Sequence, residues 1–150
     1  MIRMSDVKFG PEVVNAEGAV LGRLASVLAK RLMMGEDIVV VNAEKAVISG
    51  SPAVIKKRYF EKRTRGDRIK GPFYPRYPDM VIKRVVRGMV PHKKTRGVEA
   101  LKRLKVYLGV PEQFKGKAEK SGKNAADLEC KYMTLGDMCA GLGAKKERWS

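Results

Sequence analysis

The sequence predicts an α/β fold, and three observations carry that expectation. Leu21, Leu24, Ala25, Leu28 and Leu32 recur at i, i+3, i+4, i+7 and i+11, the spacing of one apolar helix face. The unbroken β-branched run Ile38-Val39-Val40-Val41 has the character of a strand covered on both sides, as in a parallel sheet. Ahead of the helix, Glu12-Val13-Val14-Asn15 has the length and composition of a short strand. Strand, helix and strand within about thirty residues make a βαβ unit with an expected right-handed crossover.

The remaining elements follow in order. The first strand leads through the turn Ala16-Glu17-Gly18 into the helix, whose Arg23, Lys30 and Arg31 lie off the apolar face. Gly35 sits where a helix is closed by a left-handed residue. Ala46-Val47-Ile48-Ser49 suits a further short strand. Ser51-Pro52 is a helix start, with Ser at the cap and Pro in the first turn. That helix runs toward Arg63 with Ile55 and Tyr59 inward and Lys56, Lys57, Arg58, Lys62 and Arg63 mostly outward. In TRGDRIKGPFYPRYPDM, two glycines and three prolines forbid both helix and ladder, so an irregular loop is expected. Pro78 and Asp79 open a helix with Ile82, Val85, Val86 and Met89 as its apolar stripe, and Pro91 ends it. A short helix from about Thr95 is expected to turn Leu101 and Leu104 inward, and Glu99 suits its start. Val106-Tyr107-Leu108 reads as a strand ending at Gly109, residues 112–133 as Lys-rich loop, and Thr134 to Leu142 as a closing helix.

At 150 residues and 44% hydrophobic, the chain can build one core. A single domain is expected over residues 1–150. Its core would come from about 12–50 and 104–110, its basic insertion from about 51–103 and its C-terminal extension from 111–150. The start, MIRMSDVKFG, has scattered charges and no apolar core, so no signal peptide is expected, and the apolar runs are too short for a membrane span.

Charge separates this chain from an ordinary globular domain. The formal net charge is +16, and residues 56–105 alone hold 18 Lys and Arg against four Asp and Glu, a local net of +14. Concentrated positive charge destabilises a compact state by self-repulsion and calls for a polyanionic partner. The densest case is Pro91-His92-Lys93-Lys94-Thr95-Arg96-Gly97, a bend between two basic helices with no acid in it. Lys and Arg neutralise phosphates, and Arg also stacks on bases. Phe73, Tyr74 and Tyr77 are interleaved with Lys70, Arg76 and three prolines, so these rings either stack on bases or pack beneath their own loop. The candidate RNA contacts are Lys57, Arg58, Lys62, Arg63, Arg65, Arg68, Lys70, Arg76, Arg84, Arg87, His92, Lys93, Lys94, Arg96 and Arg103.

Other chemistries find little support. The turn GAVLGRLA spaces its glycines GxxxG, not GxGxxG, and no phosphate-loop lysine follows, so a tight packing turn is the expectation. His92 is the only histidine and sits among cations, where a general base gains no partner. Glu61, Asp67, Asp79 and Glu99 show no paired catalytic spacing. Cys130 and Cys139 form neither a CxxC pair nor a metal quartet. Two reduced thiols are expected, with a disulfide between them as the alternative. Arg65-Gly66-Asp67 spells an adhesion tripeptide that chance explains.

Several long motifs occur in order: AEGAVLGRLASVLAKRL, IVVVNAEKAVISGS, KGPFYPRYPDMVIKRVVRGM, RGMVPHKKTRG and ALKRLKVYLGVP. Over roughly residues 12 to 111 the chain resembles the L-thirteen family of universal large-subunit ribosomal proteins, in its archaeal and eukaryotic branch. TLGDMCAGLG resembles the archaeal closing segment only loosely. The resemblance implies a three-layer α/β/α fold with a small, mostly parallel four-stranded sheet. It implies a structural constituent of the large subunit that contacts rRNA and neighbouring ribosomal proteins and takes part in early assembly. No enzymatic activity, cofactor, membrane or small-molecule substrate is implied, and the expected place is the cytoplasmic ribosome. Arg87, Gly88, Met89, Pro91, Lys93, Lys94, Arg96 and Gly97 fall in the family's signature turn. Independently of the resemblance, Gly97 is expected to relieve the start of the second helix by permitting close approach to a phosphate. The rival expectation is a basic nucleic-acid-binding protein outside the ribosome, either DNA-architectural or RNA-processing.

Overall fold

A computed structural model describes residues 10–120 and 124–149. Four strands form one parallel sheet in the order β4-β2-β1-β5: β1 is Glu12–Asn15, β2 Ile38–Val41, β4 Leu104–Val106 and β5 Glu119–Lys120. Val13 pairs with Val39 and Val14 with Val40, while Ile38 pairs with Leu104 and Val40 with Val106. The small parallel sheet is as expected. A second, antiparallel pair joins β3 (Val47–Ser49) to β6 (Tyr132–Thr134), with Ile48 opposite Met133.

Alternation along each strand sorts the core into two layers. Val14, Ile38, Val40, Leu104 and Val106 face the helices and join the main core, together with Leu24, Leu28 and Leu32 of α1 (Leu21–Met33). Val13, Val39 and Val41 face the other way, where Val110, Phe114 and Ala118 cover them. The far layer is thin, a connecting segment with the single 3₁₀ turn Glu112–Phe114. Central β2 is therefore buried on both sides at all four positions, in keeping with its unbroken apolar sequence. Each fully buried Leu or Val contributes about 1.5–3 kcal/mol relative to exposure.

The ends of the sheet are tied by satisfied polar groups. Asn42 takes a left-handed conformation (φ 55°), and its amide donates to Asn15 Oδ1 at 3.0 Å. The buried Glu44 carboxylate accepts from Gly109 N at 3.0 Å. Burial of these two side chains is tolerable because each has a partner.

The helices depart from the sequence reading in detail. At the C-terminal end of α1, Gly35 (φ 98°) donates to the Leu32 carbonyl, as expected, and Arg103 Nη1 donates to the same oxygen at 3.1 Å. Helix α2 (Pro52–Thr64) starts after Ser51 as expected, but the Ser51 side chain makes no cap bond. Only Ile55 and Tyr59 hold α2 to the core. Helix α3 (Pro78–Met89) buries Val81, Ile82 and Val86, leaves Val85 half-buried and exposes Met89. Its buried face is thus shifted from the expected stripe, taking in Val81 and losing Met89, because α3 packs against α1 and β4. Helix α4 (Thr95–Lys102) buries Gly97 and Ala100. Leu104, expected inside that helix pattern, instead opens β4, two residues earlier than the Val106 strand expected. Glu99 lies in the interior of α4, not its first turn.

Beyond Pro111 the chain is more ordered than expected. Strand β5 and the first two residues of β6 lie in the stretch read as loop, and Thr134, read as the start of the closing helix, ends β6. Helix α5 (Leu135–Gly141) matches the expected closing helix, with the Thr134 hydroxyl accepting from Asp137 N at 3.3 Å. Leu135, Met138 and Cys139 of α5 are fully buried in the main core.

Candidate nucleic-acid interface

Among the described residues, no acidic side chain forms an ion pair with the positive charge of residues 56–105. Among the described residues, the ion pairs are Arg31 with Glu12 and Glu36, Lys45 with Glu17, Lys115 with Glu112 and Lys146 with Asp137. None involves the basic segment. The Lys56-Lys57-Arg58 run of α2 is exposed, as are Arg65, Arg68, Lys70 and Arg76 of the loop. An intramolecular ion pair would have to be broken before a phosphate could bind, and the described residues impose no such cost on this segment.

The irregular loop is locally built. Asp67 and Gly71 exchange two backbone hydrogen bonds of 3.1 Å. At its far end the three aromatic side chains have separate fates. Tyr74 sits edge-on to Tyr59, centroids 5.8 Å apart, and Lys62 Nζ lies 4.8 Å over Tyr59 and 5.6 Å from Tyr74. Burial pushes the Tyr74 hydroxyl up to about 12, with neighbouring Tyr59 adding to it. Burial also raises Tyr59, and burial followed by nearby Arg58 lowers Lys62. Two guanidinium groups approach the Tyr77 ring, Arg76 at 5.8 Å and Arg148 at 4.4 Å from its centroid. Tyr74 and Tyr77 both pack on the main core, whereas Phe73 is 66% exposed. The alternatives left open by the sequence therefore divide: two rings pack beneath the loop and one stays free.

Phe73, Tyr74, Pro75 and Met80 line two adjoining cavities. One, of about 460 Å³, is completed by Lys83, Arg84, Arg87, Leu101 and Leu104. The other, of about 470 Å³, is completed by Arg63, Arg76 and Tyr77. Met80, Arg84 and Arg87 are spaced i, i+4, i+7 and so form one stripe of α3 beside the loop.

The bend between α3 and α4 is tight. Lys94 N donates to the Pro91 carbonyl at 3.0 Å, and His92 N donates to Val90 O at 2.7 Å. Gly97 is buried against this turn, so its role is close approach to the Pro91 backbone and not to a phosphate, as the sequence had suggested. Lys93, Lys94 and Arg96 are exposed around the turn, and His92 is half-buried.

Of the candidate contacts, Arg63, Arg84, His92 and Arg103 are half-buried and the others exposed. Arg103 spends one guanidinium nitrogen on α1. Sequence reasoning missed Lys83 and Met80 beside the loop, although the α3 stripe carries that signal, and missed Arg148, whose contact with Tyr77 joins positions 71 residues apart. The GAVLGRLA turn is filled by the protein itself: Gly18 N donates to Lys45 O and Gly18 O accepts from Ala125 N. Among the described residues no group of three His, Cys, Asp or Glu side chains is placed to hold a metal, and Cys130 and Cys139 are both free thiols.

The family model described as Ribosomal protein L13 matches residues 11–113. The chain belongs to the ribosomal protein L13 family. It is similar to the large ribosomal subunit protein uL13 of Archaeoglobus fulgidus, 48% identical over 135 residues that cover 87% of this chain and 86% of that protein. The uL13 proteins of Methanopyrus kandleri and Methanococcus maripaludis are each 48% identical over 137 residues, covering 87% and 89% of this chain and 86% and 98% of theirs. These relatives are archaeal, in keeping with the branch that the loop motif resembles. The L13 match takes in the parallel strands β1, β2 and β4 and the whole basic segment, including the turn from Arg87 to Gly97. Helix α5 lies outside it.

Proposed function

We propose that this chain is a structural constituent of the large ribosomal subunit that binds large-subunit rRNA and supports early subunit assembly. The observation that carries the reading is the +14 segment, whose cations have no acidic partner among the described residues. Phosphate oxygens supply the missing counter-charge, and release of condensed counterions drives association. The lysines and arginines named above, from Lys57 to Arg103, are the proposed contacts. Helix α3 serves both roles, with one face in the core and the other, Lys83, Arg84 and Arg87, against RNA. Such a protein positions RNA and performs no chemistry, consistent with the structural, non-enzymatic character of the L13 family. No helix among the described residues is long and apolar enough to cross a membrane. The proposed partners are rRNA and neighbouring large-subunit proteins in the cytoplasmic ribosome.

The test is incorporation. Tagged protein added to reconstituting subunits should sediment with large-subunit particles and not with small ones. Equal recovery with both, or equal affinity for duplex DNA and large-subunit rRNA, would reject the assignment in favour of a general nucleic-acid-binding protein.

A further inference from the structure

The cavity beside the proline-rich loop has a composition that phosphate binding alone does not require. Its floor is apolar, with Met80, Leu101 and Leu104, and one wall is the exposed Phe73 ring. Position 71 has to be as small as glycine beside that ring: a Cβ built on Gly71 would lie 3.0 Å from Phe73 Cδ2 and 3.1 Å from Cε2. The ring is 66% exposed and so is open to a stacking partner. Lys83, Arg84 and Arg87 stand along the rim, and none has an acidic partner among the described residues. The adjoining cavity continues past Phe73 to Arg63 and Arg76.

We propose that this cavity is a nucleobase pocket, in which an unpaired base of the rRNA leaves its stack and lies against Phe73. The inference rests on the rRNA-binding reading and makes it more specific. A nucleotide combines a flat, weakly polar ring with an adjacent anion, and the pocket offers an apolar floor, a free aromatic face and a cationic rim in the same arrangement. An apolar side chain from a protein partner would fill the floor but leave the rim cations without a counter-charge. A duplex keeps its bases stacked inward and has nothing to insert. The continuation toward Arg63 and Arg76 gives the strand a second place for a phosphate, so the backbone passes over Phe73 with cations on both sides. Stacking of this kind discriminates single strands from duplex but reads sequence weakly.

The experiment compares Phe73→Ala, Phe73→Tyr and the pair Arg84→Gln with Arg87→Gln in the full chain. The probes are a short oligouridylate, an RNA duplex of equal length and large-subunit rRNA. Phe73 is exposed, so its replacement should leave the circular dichroism spectrum unchanged. The pocket predicts that Phe73→Ala lowers oligouridylate affinity about tenfold, the loss of one stacked base. Duplex binding and the salt dependence should stay as they are, and Phe73→Tyr should bind like the parent. The double arginine variant should weaken both probes and flatten their salt dependence. Oligouridylate binding indifferent to Phe73→Ala overturns the pocket, and so does an equal loss for both probes. Unchanged oligouridylate binding with failed incorporation into subunits overturns it and assigns the cavity to a neighbouring protein. Parent protein that binds oligouridylate in a Phe73-dependent way but ignores large-subunit rRNA leaves the pocket standing and rejects the ribosomal reading. Parent protein that binds no RNA rejects both.

Discussion

Gly97 and Pro91 are packed backbone to backbone: a methyl group placed on Gly97 would lie 2.1 Å from the Pro91 carbonyl oxygen and 2.5 Å from its carbon. That oxygen also accepts from Lys94 N, so it cannot swing aside without losing a hydrogen bond. The bend is a steric lock, and the cations around it are carried on a turn of defined shape.

Gly97→Ala should therefore destabilise the free protein by about 1–3 kcal/mol, the usual cost of overpacking a closed site. Gly88→Ala, on an exposed position of α3 with nothing within 4 Å, should be neutral or stabilising by up to about 1 kcal/mol. Urea unfolding of the two variants checks this. A stable Gly97→Ala protein would show that the turn yields easily.

Leu28 is fully buried between α1 and the sheet, whereas Arg23 is exposed on the opposite side of the helix. Leu28→Ala should cost about 2–5 kcal/mol. Arg23→Ala should stay within about 0.5 kcal/mol. Equal losses would mean that the helix presents a different face to β2.

Tyr74 supplies a pH signature. Its hydroxyl ionises near 10.0 when unfolded and at about 12 in the folded protein, because burial disfavours the phenolate. A raised folded-state value contributes stability that is complete below pH 10 and is lost as pH rises from 10 toward 12. Tyr74→Phe should make the alkaline decline shallower and remove a late step from the phenolate absorbance titration. An unchanged titration would place Tyr74 in water.

The thiols differ in access. Cys139 is buried in α5, and burial first, then nearby Asp79, pushes it up to about 12, while Cys130 is exposed. A thiol reagent at neutral pH should modify one cysteine in the native protein and two after denaturation. No reaction in either state would indicate a disulfide.

Much of this architecture was legible because short-range periodicity reports burial. The i, i+3, i+4 spacing from Leu21 to Leu32 and the run Ile38–Val41 are each decided by which residues must leave water, and both elements lie where that pattern put them. What escaped was set by distant partners. Strands β5 and β6 are only two and three residues long, too short to show a period, and they exist because β1 and β3 offer them edges. The start of β4 at Leu104 follows from its register on Ile38, not from local composition. In the site, charge density marked the right segment, since like charge at this density is hard to explain without a partner. Charge said nothing of Gly97 against Pro91, of Tyr77 beneath Arg148, or of which aromatic ring would stay free. Each of these depends on packing between segments.

The central claim is that rRNA binding resides in the folded basic segment and runs through its phosphate contacts. The most direct test is the slope of log affinity against log salt for large-subunit rRNA, with each phosphate contact contributing about 0.7–0.9 to its magnitude. Neutralising Arg84, Arg87 and Arg96 together should reduce that slope by about 2 units, while neutralising Lys145 and Lys146 of the tail should leave it nearly unchanged. A flat salt response in the parent protein, or an equal reduction from the tail lysines, would contradict the account.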